Sequence, residues 1–380
     1  MTGDNPLRVY FVVGEESGDV LGTKLIDAFE ELGSPVKPMG LAGAKMQDKG
    51  MDSLFDIAEL SVMGISAVVK NLPNLLKRIR QTVDDILAKK PDVLLLIDSP
   101  DFSYRVAKKV RQEAPNIKII KYVAPTVWAW RSGRAKKIKP YIDHIMAILP
   151  FEPQLLKKLG GPEATYVGHP LASELPNIQT ANKMACHDVP RLVILPGSRK
   201  GELKLMLPVI RETIQILHER GNKFELVLPA VTRLEADIRQ ETSGWIIKPT
   251  IVMGEEAKKK AFTNADLALA TSGTVILELA LYKVPMVSIY KLDKMMMAVR
   301  HMITAWTTLL PNLIVDYPFI PEKINENAHP EHLARMLERL MMSGEERNVQ
   351  LKGFELLEEK LASEQLGAKV AARKIIELLA

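Results

Sequence analysis

At 380 residues the chain is too long for one ordinary hydrophobic core, and two domains of roughly 150 to 200 residues each are expected. With 47% hydrophobic and 26% charged residues it is neither disordered nor fibrous, and its single cysteine, Cys186, excludes an internal disulfide. The net charge is only +5, yet between Arg105 and Lys139 eleven Lys or Arg stand against one acid, Glu113, so one segment is strongly basic.

The first apolar run, "RVYFVV", leads through Gly14 into "GEESGD". A glycine between a strand and a helix suggests a phosphate loop, but Glu15, Glu16 and Asp19 would repel phosphate there. The same acids stand where a secretory leader would need small residues, and no run reaches the ~20 apolar residues of a membrane span. A cytoplasmic protein is therefore expected. No CxxC pair or His/Cys cluster offers a metal site, and none is expected.

Residues 61 to 81, "SVMGISAVVKNLPNLLKRIRQ", predict an amphipathic helix. Ile65, Val68, Val69, Leu72, Leu76 and Ile79 share one stripe, with Lys70, Lys77, Arg78 and Arg80 elsewhere. Basic amphipathic helices of this kind lie in the interface of anionic bilayers. A helix packed on its own sheet carries the same stripe.

"DVLLLID", "IKIIKYV" and "HIMAIL" then read as continuous apolar strands, as in parallel sheets covered on both faces. Asp98 ends the first of these, where a carboxylate faces the ligand crevice and can act as a general base, whereas Asp101 suits a helix cap better. In "YVAPTVWAWRSGRAKK" the indoles of Trp128 and Trp130 precede a basic run; packing explains them better than base stacking, and nucleic acid is not an expected partner. His169 of "YVGHP" closes the first domain, and either lines the crevice or serves the fold.

After the loose linker "ASELPNIQTANKMACHDVP" the alternation restarts with "RLVILPGS", "FELVLPA", "WIIKPTIVM", "ADLALATSGT" and "VPMVSIY". "LPGSRKGE" sets Gly197, Ser198 and Arg199 between a strand and a helix, a natural diphosphate site of amides and guanidinium. "ATSGTVILE" repeats the arrangement with Ser272, Gly273 and Thr274, and puts Glu278 one turn deeper, able to accept from ribose hydroxyls. GxGxxG follows none of these strands, which disfavours a dinucleotide site. "YKLDKMMMAVRHMITAW" offers Met295 to Met297, Met302 and Trp306 as a second candidate surface for acyl chains. The last fifty residues are helix-forming. The pattern is α/β: two doubly wound domains with a crevice at the carboxyl ends of their strands.

Taken together, "GEESGD", "IDSPDF", "YVAPTVWAWR", "YVGHP", "LPGSRKGE", "SGTVILE" and "LPNLI", in this order, closely resemble the lipid-A-disaccharide synthase family over roughly residues 8 to 330. The resemblance implies a GT-B fold, two Rossmann-like domains facing a cleft, with a helical C-terminus. It places an acceptor-side domain at 1–170, a UDP-sugar domain at 171–345, and helices at 346–380 that pack back on the N-terminal domain. The implied reaction joins UDP-2,3-diacylglucosamine to 2,3-diacylglucosamine 1-phosphate with inversion, giving a β-1',6-linked disaccharide and UDP without a cofactor. Asp98 would be the base, with Arg199 at the leaving diphosphate. Gly197, Ser198, Ser272, Gly273, Thr274, Glu278 and Asn312 would hold UDP, and Glu15, Ser17, Asp19 and His169 would serve the acceptor, unless Asp19 merely caps a helix. The acyl substrates imply contact with the inner face of the inner membrane through Ile65, Val68, Val69, Leu72 and Leu76. A homodimer with exchanged C-terminal helices is also implied. Glu16 stands where the family prefers a small or neutral residue and Asn325 where it prefers Gln, which leaves their local roles open. Another UDP-sugar GT-B enzyme, an N-acetylglucosaminyltransferase or a UDP-N-acetylglucosamine 2-epimerase, is the alternative; the epimerase has no use for the stripe at 65 to 79.

Overall fold

The computed structural model describes residues 6–60, 65–174, 183, 187–292, 297, 303–362 and 367–380, and of 65–72, 173 and 174 the backbone alone. The chain divides into two compact units, Met1–Ser173 with Leu361–Ala380, and Glu174–Lys360.

In the first unit β1 (Leu7–Val13), β2 (Val36–Leu41), β3 (Val93–Ile97), β4 (Lys118–Tyr122), β5 (His144–Ala147) and β6 (Glu163–Tyr166) form a parallel sheet in the order β2-β1-β3-β4-β5-β6. Between them run α1 (Glu16–Glu31), α2 (Ala44–Gln47), α3 (Ile65–Lys89), α4 (Pro100–Glu113), α5 (Arg134–Ile138) and α6 (Glu152–Lys158). Side chains alternate across each strand. Tyr10, Val12, Leu94 and Leu96 pack with α3 and α4, while Val9, Phe11, Val13, Leu95 and Ile97 pack with α1 and the helix Gly367–Leu379. Because both faces are covered, β3 must be apolar throughout.

The second unit repeats this plan. Its strands β7 (Arg191–Leu195), β8 (Glu225–Ala230), β9 (Thr250–Met253), β10 (Leu267–Thr271), β11 (Met286–Tyr290) and β12 (Glu322–Ile324) pair in parallel in the order β12-β11-β10-β7-β8-β9. They alternate with α7 (Lys200–Glu219), α8 (Glu235–Thr242), α9 (Glu255–Thr263) and α10 (Thr274–Leu281). Strand order reverses between β1 and β3 in one sheet and between β7 and β10 in the other. Doubly wound sheets bind ligands outside such switch points, at the strands' carboxyl ends. "GEESGD" follows β1 and Asp98 follows β3; "PGSR" follows β7 and "SGT" follows β10. Four motifs thus flank the two switch points.

Several expectations are corrected. "WIIKPTIVM" is a strand only from Thr250, because Pro249 cannot donate to the ladder. In α3, Ile79 leaves the proposed outer stripe and is buried with Val83 and Ile86, while Leu76 stays 48% exposed. Arg78 turns inward: its Nε donates to Glu59 at 2.8 Å and its guanidinium lies 4.5 Å from the Phe55 ring centroid. The side chains of Ile65, Val68, Val69 and Leu72, and the residues Met295, Met296 and Met302, lie outside the described residues.

The segment 346–380 does not act as one body. The helix Glu345–Leu361 belongs to the second unit up to Lys360. Gln350 there exchanges two hydrogen bonds with the Met286 backbone, 2.8 and 2.9 Å, and Phe354 meets Phe319 edge-on at 5.5 Å. Only the helix Gly367–Leu379 packs in the first unit, burying Ala371, Ala372 and Ile375, with a 2.6 Å ion pair from Lys369 to Glu31 on α1.

Candidate active site

In the second unit, a cavity of about 1080 Å³ opens at the carboxyl ends of the strands. Its volume suits a nucleotide-sized ligand. Gly197, Ser198, Arg199, Ser272, Gly273, Thr274 and Glu278 all line it. Gly197 has φ 107°, open to glycine, and any Cβ there would strike Glu202.

Glu202 is a residue the sequence reading missed. Its Oε2 accepts the Ser198 and Arg199 amides at 2.8 and 3.2 Å, and its Oε1 lies 3.4 Å from the Arg199 guanidinium. The amides expected to receive a diphosphate are therefore engaged by the protein's own carboxylate. The N-cap of α7 is Arg199, three residues before Glu202, so the pair forms a capping box without the Ser or Thr by which such a box is read from sequence. Arg199 is itself 62% exposed and weakly tied, so its guanidinium can swing to a ligand. The start of α10 has no side-chain cap, and its N-terminal dipole makes it the better anion site of the two loops.

Glu278 forms a 2.9 Å ion pair with Lys258, which also bonds Glu255 at 2.9 Å. Burial depresses Lys258, but the two carboxylates outweigh it and hold the ammonium above its ordinary range. Lys258 brings a second cation to the cavity wall, unforeseen within the run "EEAKKKAF". Ser272 Oγ lies 2.8 Å from Thr308 Oγ1, and Glu322 accepts from the Thr307 hydroxyl at 2.8 Å and from the Thr308 hydroxyl. That network stiffens the part of the cavity wall made by Ser272, Thr307, Thr308 and Glu322. Asn325 has φ 51° and accepts the Leu292 amide at 2.8 Å, a loop-holding role.

Asn312 is not brought to the cavity. It is 1% exposed, and its amide exchanges bonds of 2.9 and 3.0 Å with the Ile320 backbone. Both ends of the side chain are engaged, which corrects its placement beside UDP.

In the first unit, Asp98 and Ser99 both adopt left-handed backbone, φ 55° and 40°, in a sharp turn out of β3. Ser17 Oγ donates to Asp98 Oδ2 at 3.3 Å, while Ser103 Oγ (2.9 Å) and Lys121 Nζ donate to the Asp98 carbonyl. The first turn of α1 comes so close that a Cβ on Gly18 would lie 2.8 Å from Asp98 Oδ2. Burial holds the Asp98 carboxyl above the usual range, opposed by Lys121 and the Ser17 bond. Glu15 is raised by burial and by Asp98, with Lys121 opposing. Glu15, Ser17 and Asp98 are thus one cluster, and Lys121 joins it from β4.

Asp19 and His169 do not. Asp19 is buried: Oδ1 accepts the Gly43 and Met46 amides at 2.9 and 3.2 Å, and Oδ2 the Lys45 amide at 2.8 Å. It caps α2 and has no face for a substrate, which corrects its acceptor-side assignment. His169 follows the edge strand β6, three strands from β3. Burial pushes its imidazole down to about 4, and its Nδ1 accepts the Leu171 amide at 3.2 Å, so the neutral ring holds its own turn. Glu16 is exposed. Among the described residues no group of three or more His, Cys, Asp or Glu is arranged to hold a metal ion. Trp128 packs edge-on against Phe151 at 6.1 Å, whereas Trp130 is exposed beneath Arg131, 4.3 Å from its ring centroid.

Solved structures place the fold. The chain superposes on a putative UDP-N-acetylglucosamine 2-epimerase from Listeria monocytogenes with TM-score 0.62 and 12% identity, covering 98% of this chain and 95% of that one. On Acinetobacter baumannii MurG the TM-score is 0.56 at 14% identity, covering 99% of each chain. Both likenesses establish a GT-B-type fold and nothing finer. Sequence relatives are more specific. A protein of Rhodopseudomonas palustris (strain HaA2) named lipid-A-disaccharide synthase is 44% identical over 352 residues, 91% of this chain and 90% of that protein. One of the same name from Nitrobacter winogradskyi is 43% identical over 383 residues, 99% and 96% of the two chains. The family model described as lipid-A-disaccharide synthetase matches residues 9–376, across both units. A likeness of that extent leaves neither unit outside it: the chain is a glycosyltransferase that belongs to the lipid-A-disaccharide synthase family.

Proposed function

We propose that this glycosyltransferase moves 2,3-diacylglucosamine from its UDP derivative to the 6-hydroxyl of 2,3-diacylglucosamine 1-phosphate, with inversion, forming a β-1',6-linked disaccharide 1-phosphate and UDP. The observation that carries the reading is the second unit's switch-point cavity, which combines Arg199, an uncapped helix start and a carboxylate one turn deeper. Diphosphate oxygens take the α10 amides and the Arg199 guanidinium, and Glu278, oriented by Lys258, accepts the ribose hydroxyls. Asp98 takes the proton of the acceptor hydroxyl as that oxygen bonds the anomeric carbon; the bond from that carbon to the phosphate oxygen breaks and UDP leaves. Glu15 and Ser17 accept and donate hydrogen bonds around the acceptor sugar. The negative charge that grows on the departing diphosphate is met by guanidinium and helix dipole, fixed before reaction.

Contact with an anionic membrane surface follows from the acyl chains. It is supported by Leu76, Lys77 and Arg80, all exposed on α3 beside the buried Ile79. A homodimer is part of the same proposal, inferred from the family alone.

The test is one assay: UDP-2,3-diacylglucosamine with 2,3-diacylglucosamine 1-phosphate, reading UDP and disaccharide, with and without EDTA. Turnover is expected in both conditions. Asp98→Ala is expected to lower kcat/KM by about 10²–10⁴ with UDP affinity retained. Near-normal turnover in the purified variant would remove Asp98 from the role, and turnover only with UDP-N-acetylglucosamine would favour the alternative enzymes.

A further inference from the structure

Lys121 lies on β4, where the strand register sets it beside Leu96 of β3, and it is 1% exposed. A lysine there is costly to bury unless its charge is compensated. The charged groups facing it are Asp98 at the end of β3 and Glu15 after β1. Its Nζ also donates to the Asp98 carbonyl, beside the 2.9 Å bond from Ser103. Two consecutive non-glycine residues in left-handed conformation, Asp98 and Ser99, need such ties to persist.

We propose that Lys121 is the positioning residue of the base: its buried ammonium holds the Asp98 turn in place and supplies the counter-charge that keeps the Asp98 carboxylate ready to take a proton. The proposal rests on Asp98 acting as the base. Burial raises both carboxyls and pushes Lys121 down to about 7, and attraction between the ammonium and the two carboxylates opposes all three shifts. The sign follows from that attraction. Without the ammonium, Asp98 keeps its proton to higher pH and the acid limb of the rate profile moves up.

The decisive measurement is the pH profile of kcat/KM for Lys121→Gln, which retains an N–H for the Asp98 carbonyl but carries no charge. Its acid limb is expected to rise by about one pH unit, with UDP affinity within about twofold of the parent. Adding Glu15→Gln removes the repulsion left behind and should bring the limb back down, which a merely structural lysine would not produce. An unmoved acid limb in the single variant, no reversal in the double variant, or failure of Lys121→Gln to fold overturns the proposal. Asp98→Asn separates the two readings. Wild-type turnover in that variant defeats Asp98 as base, whereas an inactive Asp98→Asn with an unmoved Lys121→Gln limb defeats the role of Lys121 alone.

Discussion

Glu202 occupies the position a phosphate oxygen would need at the loop after β7. A diphosphate approaching Arg199 must compete with that carboxylate or displace it. Glu202→Gln keeps an acceptor for the loop amides and removes the competing charge, so UDP affinity should rise by about three- to tenfold, measured by calorimetry. Weaker binding would show that the charge serves the loop's shape instead. The position of Arg199 was readable, because a strand followed by Pro-Gly-Ser-Arg is a local pattern. That Glu202 had already taken the amides was not, because a carboxylate three residues on can face either the loop or solvent. The same holds for Asp19. Its partners lie 24 to 27 residues away, beyond any local spacing rule.

At the scale of elements, α3 is buried along one part of its surface and exposed along another. Its later turns bury Ile79, Val83 and Ile86 against the sheet, and Arg78 is clamped by Glu59, while Leu76, Lys77 and Arg80 remain exposed. A single hydrophobic stripe merged these parts, because a stripe that packs on a sheet and one that binds a membrane would obey the same 3.6-residue period. Replacing Val68, Val69 and Leu72 by Ser should move the protein from sedimenting with anionic vesicles to the soluble fraction, with an unchanged melting temperature. A lower melting temperature with unchanged partition would assign those residues to the fold. The strands were easier to read. β3 and β10 are apolar without alternation because helices cover both faces, and that burial is written into composition. β2 and β6 escaped notice, since these edge strands are less apolar: β2 carries Lys37, Pro38 and Gly40, and β6 carries Glu163 and Thr165.

On the scale of the whole molecule, the chain's last helices divide between the two units. Gln350 and Phe354 tie one to the second unit, and Ala371, Ala372 and Ile375 tie the other to the first. Ile375→Ala should therefore destabilise the first unit by about 2–5 kcal/mol. Faster hydrogen exchange in β1 and β3 than in β7 and β10, with UDP affinity preserved, is the expected result; equal loss in both sheets would refute the division. The amino-acid sequence by itself determined the two parallel sheets, the loops at their switch points and the family, because hydrophobic period, turn residues and motif order are local properties. Only the tertiary structure decided which polar groups remain for chemistry. Asp98 and Glu278 stay partly exposed, whereas Asp19 and Asn312 were drawn into backbone hydrogen bonds, and Lys121 was set beside Asp98 by the pairing of β3 with β4. Those outcomes depend on burial and on partners from distant segments, which no spacing along the chain encodes.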